Sequence, residues 1–481
     1  MKFILIGLVL CSVLGSAGLN AKTSYRPSKE SPPMPPREFR AAWLTVIHHI
    51  DWPSQSGLSA AAQRTEMTRI LDRMAALNMN AVIFQVRPHG DAVYRSSHEP
   101  WSHWLSGKMG QSPGYDPLAF CIQEAHKRGL EVHAWFNPFR ALSNASHAAS
   151  SDHVTRAAPA ITKRYAGQIW MDPAEAETRR RALTAILDVV KRYDVDGVHL
   201  DDYFYPYPKN GQVFPDGRTP AERRRIVNGF VHDLYRQVKA AKPWIRVGIS
   251  PFGIWQPGVP DGIEAGLDAY NDLAADARHW LKNGWVDYLA PQLYWRDQPA
   301  KQSFSALLAW WRQQGTRPVW PGIATSRIKS SDDPGRPASE ITRQVVLSRT
   351  VGPQNYVGHI HWSVSGLMQN RDGVATALSR RAYAEPALVP PMPWQNKQAV
   401  AAPSANVHAS GKQLEIDWKA GNAKAIFVMG RFGKTWHALA NLPGQRGRAK
   451  ISLGQRGHPD AVSISAVNRY GTLSPPRVMA K

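Results

Sequence analysis

Residues 195–206 read VDGVHLDDYFYP, a β-branched run that ends in two adjacent carboxylates and several aromatic rings. Side chains of a β-strand alternate between its two faces. Val198 and Leu200 are therefore predicted to share one face, while His199 and Asp201 share the other. A strand that is apolar on one face and polar at its carboxyl end is typical of parallel sheets that carry functional groups at their strand ends.

Seven other short β-branched or aromatic runs surround this one, and longer amphipathic runs separate them. Eight alternating units predict an α/β fold of the (β/α)8 or TIM barrel type. An open doubly wound sheet is disfavoured, because no glycine-rich dinucleotide turn follows the first strand. The predicted strand cores are 39–47, 81–86, 131–136, 195–201, 246–250, 286–289, 319–323 and 356–362. Predicted helices lie near 63–78, 116–128, 174–193, 220–240, 269–283, 303–314, 338–351 and 371–382.

The sequence changes character after a group of prolines between residues 386 and 393. Short alternating strands with glycine-containing turns follow, which predicts a small all-β domain. Its ending, residues 462–476, resembles the last strands of a fibronectin type III module. The predicted domains are a proline-rich linker over 22–36, a barrel over 37–385, a second linker over 386–402 and a fibronectin type III-like β-sandwich over 403–481.

The N-terminal residues predict export. Lys2 precedes an apolar run over 3–14, and small residues follow up to Ala21, as in a secretory signal peptide over 1–21. The expected location is therefore the periplasm or cell envelope. Cys11 raises lipoprotein anchoring as an alternative, but Leu10 precedes it where a small residue is usual. A membrane is expected as a partner only if that cysteine is lipidated.

The chain is strongly basic, with 59 Lys and Arg against 37 Asp and Glu and a formal net charge of +22. Such a surface attracts polyanions. The basic residues form no long run, zinc-finger spacing or other recognisable nucleic-acid-binding signature, so no nucleic-acid partner is expected. A composition with 43% hydrophobic and 20% charged residues also excludes disorder or coiled coil as the main architecture.

Asp201 and Asp202 are the predicted catalytic residues. In a barrel, the end of the fourth strand opens into the mouth, where aromatic rings and the neighbouring carboxylate would raise the proton affinity of Asp201. A general acid needs that property. The structural alternative is that Asp201 caps the following loop. Glycoside hydrolysis usually takes two carboxyl groups, and the other candidates are Asp91, Glu99, Glu264 and Asp297.

Polar and aromatic side chains also follow the other predicted strands. Aromatic faces stack on sugar rings while amides and charged groups hold the hydroxyls, so this rim suits a glycan cleft, although core packing is the alternative for some of the rings. No metal and no cofactor are expected. The predicted substrate-binding residues are Arg87, Asp91, Asn137, Arg140, His199, Tyr203, Tyr205, Trp255, Gln292, Tyr294 and Trp362.

Several motifs in order resemble the glycosyl hydrolase-like 10 family from residue 37 to about residue 381. The resemblance implies a (β/α)8 glycosidase-like domain that acts on an envelope polysaccharide, with peptidoglycan strands stripped of their peptides as substrate. It also implies that the strand-four acidic pair lies in the active cleft, and that cell-division proteins are candidate partners. The motifs are RAAW at 40–43, QVRP at 85–88, PGYDPL at 113–118, HAWFNPFR at 133–140, HLDDYFYP at 199–206 and PQLYW at 291–295.

The resemblance gives the basic charge a candidate partner, since stripped strands expose the lactyl carboxylate of each muramic acid. Arg87 and Arg140 are candidates to pair with those carboxylates. The alternative is that the charge reflects a basic proteome or a general attraction to the envelope. Two alternatives to a carboxylate enzyme remain open. One is a glycan-binding scaffold without catalysis. The other is a metal-dependent hydrolase that uses histidines on or near the strands, namely His48, His133, His199, His359 and His361.

Overall fold

Eight parallel strands form a curled sheet, with helices packed on its outer face. The computed structural model describes residues 23–209, 211–352, 356–396 and 398–481. The predicted signal peptide and Cys11 lie outside the described residues. The strands are β1 (Phe39–Leu44), β2 (Ala81–Arg87), β3 (Glu131–Phe136), β4 (Gly197–Leu200), β5 (Arg246–Ile249), β6 (Tyr288–Leu289), β7 (Gly322–Ile323) and β8 (Gly358–His361).

The strand order is that of a barrel. Pairing runs β6-β5-β4-β3-β2-β1-β8-β7, and every pair is parallel. Parallel bridges from Leu289 to Val319 and from Gln292 to Gly322 connect the two outermost strands. The mixed α/β prediction is confirmed, and the curled eight-stranded sheet is consistent with the predicted (β/α)8 barrel.

Each of the eight predicted helices overlaps a helix of the structure. Local sequence explains several boundaries, as where Thr219, Pro220 and Glu222 form a capping box with proline in the first turn. The helix predicted over 269–283 is two helices, because Ala274 takes a φ of +54° and Asp276 caps a new start. The α-helices span Ala60–Ala76, His103–Ser106, Pro117–Lys127, Val154–Ala157, Ala176–Arg192, Pro220–Ala241, Ala269–Asp272, Ala277–Lys282, Phe304–Arg312, Ala338–Thr350, Val364–Met368 and Val374–Arg380.

Large aromatic side chains fill the inside of the curled sheet. The predicted alternation along β4 is confirmed, since Val198 and Leu200 join the core beneath the helices while His199 points inward. Glycine makes room for the inward rings. A Cβ atom on Gly248 would lie 2.0 Å from the ring of Tyr288, so no larger residue fits there. The interior of the curled sheet is therefore filled by packed side chains.

A small antiparallel sheet interrupts the chain between β3 and the helix Ala176–Arg192. Its strands are Arg140–Leu142, Gln168–Met171 and Thr162–Tyr165, with Gln168–Met171 in the centre. A tight turn at Ala166 and Gly167, both with positive φ, joins two of them. This sheet is not predicted from the sequence. It contains Arg140 and positions it near the carboxyl end of β3.

The C-terminal residues form two antiparallel sheets that pack face to face. One contains β9 (Ser404–Ser410), β10 (Gln413–Lys419) and β13 (Arg446–Ser452). The other contains β11 (Ala425–Phe432), β12 (Thr435–Pro443), β14 (Ala461–Val467) and β15 (Arg477–Ala480). These strands support a β-sandwich in this part of the chain.

Residues from the predicted N-terminal linker take part in this sandwich. Thr23–Ser24 pairs with β9, and Arg26–Pro27 pairs with β15. Tyr25, between them, is buried in the sandwich core and donates a hydrogen bond to the Pro459 carbonyl. The two ends of the described chain thus meet in one domain, while the predicted domain boundaries stay predictions.

The sandwich contacts the barrel at the amino-terminal ends of β3 and β4. Lys424 extends from the sandwich to the carboxylates of Glu131 and Asp196. Asp196 is buried, Glu131 is partly buried, and the Lys424 side chain is about three-quarters buried. This ion-paired contact lies at the opposite end of the strands from Asp201. No helix of the described residues is long and apolar enough to cross a membrane.

Candidate active site

Asp201 and Asp202 follow directly after β4 and line a cavity at the carboxyl ends of the strands. The cavity encloses about 520 Å³, which is within the usual range for small-molecule sites. Four other residues that the sequence predicted as substrate-binding line the same cavity, namely Tyr203, Gln292, Tyr294 and Trp362. The structure therefore brings together the predicted acidic pair and part of the predicted rim.

The Asp201 carboxyl group is buried and surrounded by hydrogen-bond donors. Its Oδ2 atom accepts hydrogen bonds from the Asn137 amide and from Trp135 Nε1, the latter at 3.2 Å. The backbone N–H of Tyr203 donates to Oδ1 at 3.3 Å. Burial and the neighbouring Asp202 carboxylate raise the pKa of Asp201 to about 7, although Arg140 and these hydrogen bonds oppose the shift. Asp201 can therefore hold a proton near neutral pH.

Asp202 is bound on its other side by Tyr207, whose hydroxyl donates to Oδ2. Burial raises the pKa of Asp202, while the Tyr207 and Gln292 side chains oppose the rise. Burial and the nearby Asp202 carboxylate also raise the pKa of Tyr207, so the phenol stays a hydrogen-bond donor. The two adjacent carboxyl groups thus have different partners, which is the usual way to separate the proton affinities of an acid pair.

Aromatic rings form the walls of the cavity. Trp362 is central, with its ring centroid 6.0 Å from Trp43, 6.2 Å from Trp135 and 6.4 Å from Tyr294. The Trp362 and Tyr294 rings lie within 26° of parallel. Flat apolar faces beside buried carboxyl groups are suited to hold a sugar ring and present its glycosidic oxygen.

Asn137 and Arg140 lie behind the acidic pair. Asn137 accepts a hydrogen bond from Gln85 at 2.8 Å and donates to Asp201, so its amide orientation is fixed. The Arg140 guanidinium carbon lies 3.8 Å from the centroid of the Tyr203 ring. Neither residue lines the cavity, but both act on Asp201 by contact or by charge.

Five predicted substrate-binding residues lie away from the cavity lining. Arg87 is fully buried, pairs with Glu99, and donates to the carbonyls of Asn137 and Pro138. It therefore braces the loop after β3. His199 lies 2.9 Å from the Tyr288 hydroxyl inside the barrel. The remaining three are Asp91, which accepts from the His89 N–H, Tyr205, buried against Phe214, and Trp255, stacked near Trp310.

The other candidate carboxylates are also engaged elsewhere. Glu99 is bound by Arg87, and Asp297 is bound by Arg343 and by Ser303. Glu264 is exposed and pairs with Lys301. None of these carboxylates, nor Asp91, lines the cavity. Within the described residues the cavity holds one further carboxylate, that of Asp332, on the exposed loop after β7.

The histidines considered for a metal site do not converge. His133 and His199 both contact the Tyr288 hydroxyl, whereas His359 and His361 both contact the Tyr383 hydroxyl. His48 lies apart, against Trp104. Over the described ranges, no group of three or more His, Cys, Asp or Glu side chains is arranged to hold a metal ion.

Several residues that line the cavity were not predicted from the sequence. Tyr207 follows the strand end, where period-two alternation no longer applies, and the sequence prediction selected Tyr205 instead. Trp43 and Trp135 lie on strands and could have been found by the inward alternation that identified Asp201. Arg327 ends a short 3-10 helix after β7, and Arg371 begins another one after the helix Val364–Met368. No local pattern marks either arginine as part of the cavity.

The glycosyl hydrolase-like 10 family model matches residues 38–333. Glycosyl hydrolase YngK of Bacillus subtilis (strain 168) is 38% identical over 447 residues, which cover 88% of this chain and 86% of that protein. Glycosyl hydrolase DigH of Escherichia coli (strain K12) is 32% identical over 343 residues, covering 64% and 77%. Among solved structures, the PgaB (BpsB) glycoside hydrolase domain from Bordetella bronchiseptica is 14% identical with a TM-score of 0.46, over 71% of this chain and 98% of that one. The chain belongs to the glycosyl hydrolase-like 10 family and is a glycoside hydrolase.

Proposed function

We propose that this glycoside hydrolase cleaves peptidoglycan glycan strands that have lost their peptides, and that Asp201 is its general acid. The observation that carries the proposal is the position of Asp201: buried, beside a second carboxyl group, with a pKa raised to about 7. A protonated Asp201 would deliver its proton to the leaving glycosidic oxygen. Asp202 is proposed as the second carboxyl group of the reaction.

The substrate class is supported by the shape and chemistry of the site. The cavity is open at the strand ends and walled by Trp43, Trp135, Tyr294 and Trp362, which suits a chain of pyranose rings. The chain as a whole carries a formal charge of +22, and stripped peptidoglycan strands are polyanions. Electrostatic attraction would therefore bring enzyme and strand together.

The proposal also includes the location of the protein and the type of its C-terminal domain. We propose that residues 1–21 direct export to the periplasm or cell envelope, with cell-division proteins as candidate partners. The sandwich is proposed to be a fibronectin type III-like module, supported by its seven principal strands in two sheets, β9-β10-β13 and β12-β11-β14-β15.

Digestion of purified, peptide-free glycan strands tests the function. We expect mass spectrometry to detect shorter oligosaccharides, with activity unchanged after dialysis against a chelator. Unchanged strands that still co-sediment with the protein would identify a glycan-binding scaffold instead. Loss of activity after dialysis, restored by zinc, would favour a metal-dependent hydrolase.

Arg140 gives a separate test of the acid, because its positive charge favours the ionised form of Asp201. In Arg140→Gln, the pKa of Asp201 should rise, and the alkaline fall of kcat/KM should move upward by about one pH unit. Arg140→Lys keeps the charge and should leave that limb near pH 7. An unchanged limb in both variants would contradict the assignment of the limb to Asp201.

A further inference from the structure

We infer that Arg327 and Arg371 form a carboxylate-binding subsite within the cavity, on the side that is formed by the loops after β7 and β8. Both arginines line the same cavity as Asp201 and Asp202. The inference rests on the proposed function. It adds the group of the substrate that the enzyme recognises, a carboxylate on a sugar ring near the bond to be cleaved.

The two guanidinium groups are held in place by neutral oxygen atoms. Arg327 donates from Nη1 to the Tyr294 carbonyl at 3.2 Å. Arg371 donates from Nη1 to the Ser326 carbonyl and from Nε to the Gln369 side chain, the latter at 2.6 Å. The Arg371 contact to Ser326 joins the β8 loop to the β7 loop, next to Arg327. These bonds orient both side chains without neutralising them.

Neighbouring basic residues differ, because each has an acidic partner. Arg296 and Arg336 both pair with Asp333, and Lys329 pairs with Asp372. Within the part of the chain that the structure describes, no carboxylate lies within 4.0 Å of Arg327 or Arg371. The exposed Asp332 also lines the cavity, but it too lies beyond that distance. Arg327 and Arg371 are therefore half-buried cations without an acidic partner, in the same cavity as the acidic pair. An anionic ligand would neutralise their charge.

A carboxylate is the ligand group that this arrangement favours. Arginine presents a planar set of donors that matches a carboxylate in bidentate geometry. An ionised Asp202 would repel an anionic substrate, so a fixed positive site in the same cavity would both attract the sugar and set its register against the acid. Two sources share this chemistry: a lactyl ether, as on muramic acid, and the carboxyl group of a hexuronic acid.

The test compares native glycan strands with strands whose carboxyl groups have been reduced to alcohols. Wild-type kcat/KM should be about tenfold higher on native strands, as expected for one charged hydrogen-bonded contact. In Arg327→Ala and Arg371→Ala, that preference should fall towards one. Arg327→Lys should keep an intermediate preference, because it retains the charge but not the planar fork.

Lys329→Ala is the matched control, since it removes a positive charge two residues from Arg327 but outside the cavity lining. It should keep the wild-type preference. A wild-type enzyme that cleaves native and reduced strands equally would overturn the inference. So would a preference that persists in both arginine-to-alanine variants, because the carboxylate would then be read elsewhere.

Binding separates this inference from the proposed function. Asp201→Asn, titrated with each type of strand, should bind native strands about tenfold more tightly, and adding Arg327→Ala should remove the difference. If that preference is found while the wild type cuts neither strand, the proposed hydrolysis fails and the carboxylate subsite stands. If a soluble hexuronic acid polymer binds as tightly as the native strands, the subsite is supported and its ligand is a uronic acid. If the native strands bind and the polymer does not, the subsite is supported and its ligand is the lactyl ether.

Discussion

Replacing Asp201 with asparagine is expected to lower turnover on peptide-free glycan strands at least ~10²-fold, the low end of the usual contribution of a general acid. Asparagine keeps the shape of the side chain, but it has no acidic proton to transfer. Glycan binding should be largely retained, so the loss should fall on kcat. Steady-state kinetics with a labelled strand measure both quantities.

Glu264→Gln is the matched control, since this exposed carboxylate pairs with Lys301 and lies outside the cavity. It should behave as the wild type. Near-wild-type turnover in Asp201→Asn would show that another group supplies the proton.

Folding of the Asp201→Asn variant can be checked through its stability. A carboxyl group whose pKa is raised in the folded state destabilises the fold once the pH exceeds its unfolded value, and the loss is complete above about pH 7. Because asparagine does not ionise, the stability of Asp201→Asn relative to the wild type should rise between about pH 4 and pH 7. Below and above this interval the relative stability should not change with pH.

Replacing Lys424 with methionine should destabilise the protein by about 3 kcal/mol, the low end of the range for breaking a buried ion pair. The change leaves Glu131 and Asp196 without their shared cation at the contact between sandwich and barrel. His126 and Arg246 remain near these carboxylates, at 2.8 and 3.6 Å, which limits the loss. Urea denaturation measures the free energy of unfolding.

The pH dependence of that loss has a definite sign. Burial opposes the shift, but Lys424 and His126 lower the pKa of Asp196, and Lys424, His133 and Arg246 together bring that of Glu131 to about 2. The stabilisation is present above the unfolded pKa of these groups, near 4, and is lost as the pH falls towards 2. The difference between wild type and Lys424→Met should shrink over that interval.

Lys450→Ala serves as the comparison for this variant, because it breaks an exposed pair on the sandwich surface. It should change stability by less than about 0.5 kcal/mol. If Lys424→Met is equally mild, the contact between the domains does not depend on this ion pair.

The sequence predicted the barrel strands because each is a short apolar run that repeats with a helix between. It also predicted the direction of Asp201, since alternation along β4 is a local property. The acidic pair could be identified for that reason. Asp201 and Asp202 are adjacent in the sequence, and no long-range contact is needed to place them together.

The structural role of Arg87 could not be predicted from the local sequence. Its position at a strand end suggests a substrate contact, but Glu99 folds back from the loop after β2 and binds it, and the eleven intervening residues give no sign of that. Tyr207 was missed because the chain turns after β4 and alternation no longer holds. The local sequence predicts a linker at Thr23–Ser24, although these residues form a strand, because their partner strand lies almost 400 residues away. Loop charges and distant pairings thus required the structure.

The pH dependence of kcat/KM in the wild type and in Asp201→Asn tests whether Asp201 is the general acid. In the proposed mechanism Asp201 acts in its protonated form, so wild-type activity should fall as the pH rises, with a midpoint near 7. The residual activity of Asp201→Asn should lack that alkaline limb. A limb with the same midpoint in the variant, or a wild-type enzyme with no fall near pH 7, would contradict the assignment of Asp201 as the general acid.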